Sequence, residues 1–208
     1  MTYTVASHLD YFKVPLADFA AARPEFDGFA VGGYIFSHAD PTPRVLLLQR
    51  ALTDSMPGCW ECPGGASELE ADGTLLDSVV REILEESGLH VSHIVDLVAV
   101  DCWAHHRRNG ATIRLSKYSF LVEVRESHQK SAGNWEYVPT LQIPVKLDPL
   151  EHQQFEWATE EHAQLSVQST NGRYKLPLGH MGHQGRNILR AFEMIKERQG
   201  KVSGDLVQ

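Results

Sequence analysis

Arg81, Glu82, Glu85 and Glu86 carry the clearest chemistry in this chain, in the run Arg81-Glu82-Ile83-Leu84-Glu85-Glu86. On a helix, Glu82 and Glu86 lie about 40° from each other, and Glu85 sits one step further out on the same side. Carboxylates crowded within one turn repel one another unless solvent or a cation screens them, so a solvated helix face is the competing reading. Oxygen ligands converging from one rigid element suit Mg²⁺ or Mn²⁺, which bind carboxylates and keep waters and substrate phosphates in their remaining positions. Arg81, four residues before Glu85, is spaced to hold that carboxylate through a guanidinium pair.

A helix must position these groups. Thr74 with Asp77 forms a capping-box pattern with aspartate in place of the usual Glu or Gln, and Gly88 is a helix stop, which predicts a helix from about Thr74 to Ser87. Leu75, Leu76, Val79, Val80, Ile83 and Leu84 fill one half of it, so it must pack on a core. Upstream, Trp60-Glu61-Cys62-Pro63-Gly64-Gly65 takes an apolar segment into a glycine loop, followed by an acidic stretch.

Together these residues resemble the Nudix hydrolases, whose box reads G-x5-E-x7-R-E-U-x-E-E-x-G-U with U aliphatic. Gly65 matches the opening glycine and Arg81 to Leu89 match the second half. The spacer from Gly65 to Arg81 is two residues longer than the box, and Gly73 falls where the first glutamate counts back from Arg81. Glu68, Glu70 and Asp72 are the carboxylates available in its place. The resemblance implies a Nudix-type α/β/α sandwich with a central mixed sheet. It also implies Mg²⁺ or Mn²⁺ held by Glu82, Glu85, Glu86 and a backbone carbonyl at Gly64 or Gly65, with Arg81 orienting Glu85. The implied reaction is hydrolysis of a phosphoanhydride bond in a nucleoside diphosphate linked to another group. In this family a loop glutamate ahead of a Glu-Trp strand often supplies a further metal ligand or the base. Glu151, ahead of Glu156-Trp157, occupies that position, with Glu156 as competitor. The alternative function is a non-hydrolysing nucleotide-binding or sensor module on the same fold.

Length and composition bound the rest. A chain of 208 residues with 42% apolar content buries one substantial core. The division expected is an N-terminal extension over 1–25 with a short helix, the hydrolase domain over 26–199, and a frayed tail over 200–208. No run approaches a membrane span and no signal core is visible, so a cytoplasmic protein without a membrane partner is expected. Net charge −8 argues against broad binding of nucleic-acid polymers, which demand a basic face, and the small nucleotide-type substrate that the resemblance implies would have to be held by a metal and local cations. A homodimer is the oligomer to be tested. Cys59-x-x-Cys62, with Cys102, His105 and His106 as conceivable partners, raises structural zinc, but no second C-x-x-C accompanies it.

Strands are expected over Phe29 to Phe36, Val45 to Gln49, His93 to Val100, Ile113 to Val124 and Leu141 to Leu147. A loop is expected over Trp103 to Ala111, another over Ser127 to Tyr137, and a covering helix around Ile188 to Ile195. Gly32-Gly33 implies a bulge or a close approach. Three cations suit a polyanionic substrate: Arg50, at a strand end beside the glycine loop, and His105 and Arg107 near Trp103, where a base could stack. For Arg50 the alternative is a surface cation, and for the other two a polar hairpin tip.

Overall fold

The computed structural model describes residues 2–106, 110–131, 133–169, 172–177 and 183–205. Arg107 and residues 178–182 lie outside the described residues. The strands are β1 (Thr4–Val5), β2 (Gly28–Ser37), β3 (Arg44–Arg50), β4 (Trp60–Glu61), β5 (Val91–His106), β6 (Thr112–Val124), β7 (His128–Ser131), β8 (Asn134–Tyr137) and β9 (His152–Thr159). The helices are α1 (Leu16–Ala21), α2 (Leu75–Ser87), α3 (Glu160–Gln168) and α4 (Gln184–Asp205).

The main sheet is mixed, in the order β1-β5-β6-β2-β3-β4, with β9 also pairing β3. β2 and β6 run parallel over eight paired positions, whereas β5 with β6 and β3 with β9 are antiparallel. Side chains alternate between two apolar layers, as the strand period demands. On one face Val31, Ile35, Phe120 and Val122 pack with Leu75, Leu76, Val79 and Ile83 of α2. On the other Tyr34, Leu47, Val95 and Leu121 pack with Ile188, Ala191, Phe192 and Ile195 of α4. At about 1.5–3 kcal/mol for each fully buried aliphatic or aromatic side chain, these two layers supply the main drive to fold.

The N-terminal residues join the first layer. Leu9, Phe12, Leu16 and Phe19 are buried there, the Tyr3 hydroxyl donates to Asp77 at 2.8 Å, and Leu16 N–H donates to the Gly73 carbonyl at 2.9 Å. They thus brace the start of α2.

Three expectations need correction. β5 continues to His106, so the Trp103 to His106 part of the expected Trp103 to Ala111 loop is strand, because cross-strand pairing with β6 persists to His106–Thr112. Part of the Ser127 to Tyr137 loop is the β7–β8 hairpin. Leu141 to Leu147 forms no strand: a 3₁₀ turn spans Thr140–Gln142, and Pro144 removes a ladder donor from the remainder.

Candidate active site

The site is built where the sheet splits. β2 pairs with β3 only at Phe36–Val45 and Ser37–Arg44, and beyond that the strands diverge. The Pro63 to Ser67 segment takes up the orphaned edge of β2: Gly33 N–H donates to the Pro63 carbonyl and Val31 N–H to the Gly65 carbonyl, both at 2.9 Å. Gly64 makes this possible, since its φ of 150° disfavours L side chains and a Cβ there would overlap the Val31 carbonyl oxygen. Gly64→Ala is therefore expected to cost about 3 kcal/mol or more of stability, measured by urea unfolding, and a loss below about 1 kcal/mol would mean that the loop relaxes away from β2. The Gly32-Gly33 pair answers to close approach. A Cβ on Gly33 would run into Ile83 of α2, and one on Gly32 would meet the Lys117 stem at 3.0 Å.

α2 is held at both ends as its sequence requires. Thr74 accepts the Asp77 N–H at 3.1 Å, and Gly88, left-handed at φ 69°, donates to Leu84. The helix separates its glutamates. Glu82 and Glu86 are buried, whereas the Glu85 side chain is 56% exposed. Glu86 accepts the Gly64 N–H at 2.6 Å, and the Gly65 Cα abuts Glu82, whose Oε2 would lie 2.6 Å from a Cβ there. The Gly65 carbonyl, bonded to Val31, keeps a second lone pair for a ligand.

Arg81 ties the loop to the helix. Its Nε and Nη2 grip both oxygens of buried Asp72 at 2.9 Å, Nη1 donates to Glu82 and to Glu85 at 2.9 Å, and Nη2 also donates to the Ala66 carbonyl at 2.8 Å. Of the three carboxylates available in the longer spacer, Asp72 is the one that meets Arg81. Burial pushes the Asp72 carboxyl upward, but the Arg81 fork and the Glu68 N–H outweigh it and hold the group below its ordinary range. Burial also raises Glu82 and pushes Glu86 up to about 9; the Gly64 N–H opposes the latter shift, and the neighbouring Glu61 and Glu82 reinforce it. A carboxyl that resists ionisation chiefly through burial, and further through neighbouring carboxylates, is a group whose charged form a cation would stabilise.

Opposite α2, the turn after Pro149 brings in Glu151. Leu150 N–H donates to Asp148 Oδ1 at 2.8 Å, and the Glu151 carbonyl accepts the Ala51 N–H at 2.7 Å, fixing the turn to the end of β3. Glu86, Glu151 and His152 present ligand atoms all within 4.8 Å of one another. Beneath them Glu61, buried on β4, contacts His152 Nε2 at 3.4 Å and forms an ion pair with Arg50. Burial raises the Glu61 carboxyl, yet His152, Lys117 and Arg50 together hold it below its ordinary range.

The sequence-derived residues thus fall into groups. Arg81 bonds Glu82 and Glu85, Gly65 abuts Glu82, and Glu86 lies between the Gly64 N–H and Glu151. Arg50 lies beside this cluster with its guanidinium committed to Glu61, Asp54 and the Ser55 carbonyl and hydroxyl. His105 sits on the overhanging end of the β5–β6 hairpin, five residues beyond the level of Val31, which is about 16 Å along the strand. Glu156 pairs with Arg173 instead of joining the cluster. Cys59 and Cys62 are buried free thiols, and no metal-holding group among the described residues includes them. Glu61, Lys117 and His152 were missed by sequence reasoning. Only the adjacency of Glu61 to the glycine loop and of His152 to Glu151 could have drawn attention to them.

A mixed sheet between helical layers, with a glycine loop seated against glutamates of a buried helix, defines a Nudix-type α/β/α sandwich. Residues 28–176 match the NUDIX domain family, and the chain belongs to this family. It is 32% identical over 167 residues to the human m7GpppN-mRNA hydrolase NUDT17, a match covering 77% of this chain and 46% of that protein, so the chain spans about half the length of that relative. It is 30% identical over 167 residues to the RNA pyrophosphohydrolase of Psychrobacter sp. (strain PRwf-1), covering 79% of this chain and 82% of that one. The NUDIX domain of Shewanella oneidensis NrtR, solved as a complex with ADP ribose, shares the fold at TM-score 0.50 and 18% identity, over 86% of this chain and 97% of that chain. Among the described residues no helix is long and apolar enough to cross a membrane.

Proposed function

We propose that this chain is a divalent-metal-dependent hydrolase that cleaves a phosphoanhydride bond in a nucleoside diphosphate linked to another group. The observation that carries the reading is the convergence of Glu82 and Glu86 from α2 with Glu151 from the loop before β9, at a glycine loop clamped by Arg81. Glu82, Glu85 and Glu86, with the Gly65 carbonyl, would hold Mg²⁺ or Mn²⁺, and the donor set fits these hard cations. A divalent ion held there would supply charge neutralisation for the phosphates and a lowered pKa for a bound water.

The protein's own groups do the rest. Arg81 fixes the rotamers of Glu82 and Glu85 and locks the loop carbonyl of Ala66, so ligand positions are set before substrate arrives. Glu151, solvent-exposed and close to Glu86, accepts the proton of the attacking water or serves as a further ligand. Lys117, whose stem crosses Gly32 beside this cluster, adds positive charge toward a polyanion. Arg50 acts through Glu61, and His105 and Arg107 are offered as contacts to the nucleoside end. An intact glutamate cluster favours hydrolysis over binding alone. Charge −8 favours a small nucleotide, handled in the cytoplasm, over a polymer. The names of the two relatives favour a second reading, in which the nucleotide is the 5′ end of an RNA.

A Mg²⁺-supplemented panel of nucleoside triphosphates, ADP-ribose, NADH, dinucleoside polyphosphates, a cap dinucleotide and capped RNA, with products identified by mass, tests the reading. Absence of phosphoanhydride cleavage across the panel would sink it. Within that panel, Glu151→Gln is expected to lower kcat by roughly 10² to 10⁴ and leave KM nearly unchanged if Glu151 is the base. Recovery at high Mn²⁺ would identify a ligand instead, and an unchanged kcat would remove both roles.

A further inference from the structure

The cluster described above contains a donor that a carboxylate-only centre does not use. His152, the first residue of β9, is 1% exposed, and its Nδ1 is buried with no hydrogen-bond partner among the described residues. An orphaned buried ring nitrogen carries a desolvation cost that a native site tolerates when a ligand completes it. A His152 ring nitrogen is also one of the three ligand atoms, with oxygens of Glu86 and Glu151, that lie within 4.8 Å of one another.

The surroundings prepare that ring for a cation. A ligating histidine commonly donates its other ring N–H to a carboxylate, which fixes both orientation and tautomer. Glu61 stands at that position, 3.4 Å from Nε2, and is itself buried and anchored by Arg50. With Nε2–H directed at Glu61, Nδ1 carries the lone pair. Glu86 and Glu151 then supply negative charge from two further elements, α2 and the turn before β9.

We propose that His152 ligates a divalent ion together with Glu86 and Glu151, giving this centre a nitrogen donor and a preference for Mn²⁺ over Mg²⁺. This rests on the metal-dependent reading above. Imidazole shifts selectivity because Mg²⁺ demands oxygen donors and sheds water reluctantly, whereas the first-row transition ions accept nitrogen. The neighbouring Glu82 and Glu85, both bonded by Arg81, offer only oxygen donors, so a nitrogen signature reports on His152 alone.

Pulsed electron paramagnetic resonance on the full chain loaded with Mn²⁺ tests the proposal without reference to turnover. The native protein is expected to show ¹⁴N modulation of bound Mn²⁺, shifting to the ¹⁵N pattern when the histidines are ¹⁵N-labelled. In His152→Gln the modulation should vanish, Mn²⁺ affinity should fall at least about tenfold, and Mg²⁺ affinity should change much less. If that variant fails to fold, the labelled native protein still decides whether a histidine is a ligand, and His152→Asn replaces it for the affinities. Bound Mn²⁺ without nitrogen modulation, or modulation that survives the substitution, overturns the role of His152 and leaves the hydrolase reading intact. A native chain that binds no Mn²⁺ overturns both.

Discussion

Glu86→Gln should reduce kcat at saturating Mg²⁺ by about three orders of magnitude, equivalent to about 4 kcal/mol of transition-state stabilisation. The substitution keeps size and the capacity to accept the Gly64 N–H while removing the charge at the centre of the cluster. Stability should move the other way. A carboxyl raised by burial to about 9 holds its proton more tightly folded than unfolded, so its contribution is complete below the ordinary value of 4.5. That contribution is lost as pH rises toward about 9. Metal-free native protein should therefore weaken between pH 6 and 8.5, Mg²⁺ should reverse the weakening, and Glu86→Gln should show a flatter profile. Urea midpoints at the two pH values, with and without Mg²⁺, measure this. Wild-type turnover in the variant would remove Glu86 from the metal set.

Arg81→Ala should be the most destabilising change in the box, by about 3–5 kcal/mol, because it leaves Asp72 buried and unpaired. The Asp72 side chain is 2% exposed and that of Arg81 21%, so solvent screening offers little relief. Glu85→Gln, acting at an exposed end of the same network, should cost under about 1 kcal/mol. Metal affinity should fall with Arg81→Ala, since Glu82 and Glu85 lose the guanidinium that sets their rotamers. Lys should rescue only in part, because one ammonium cannot replace a fork that meets Asp72 with two parallel bonds. The comparison of the double change Asp72→Ala/Arg81→Ala with each single change separates the roles. If Arg81→Ala alone is as mild as Glu85→Gln, the Asp72 pair is not what holds the loop.

Local pattern sufficed for α2 and for its nearest charge pair. Thr74 and Gly88 bound the helix because capping is satisfied within a turn, and the apolar spacing from Leu75 to Ile83 fixes which half is buried. Arg81 finding Glu85 is likewise a property of i,i+4 neighbours. The Gly32-Gly33 pair was legible as a bulge or a close approach, because glycine within a strand leaves space that a neighbour can fill, here Ile83 and the Lys117 stem. What the sequence could not decide were partnerships between residues far apart in the chain. Asp72, Glu68 and Glu70 are equivalent acids in a spacer of unusual length until the fold carries one of them onto the Arg81 fork. Glu61 and His152, 91 positions apart, meet only because β4 and β9 both pair with β3. Arg50 reads as a free strand-end cation until β4 brings Glu61 against it. The burial that pushes Glu86 up, and sets it apart from exposed Glu85 one residue away, is imposed by packing against the loop and sheet. Spacing along the helix sets Glu85 only one step further out.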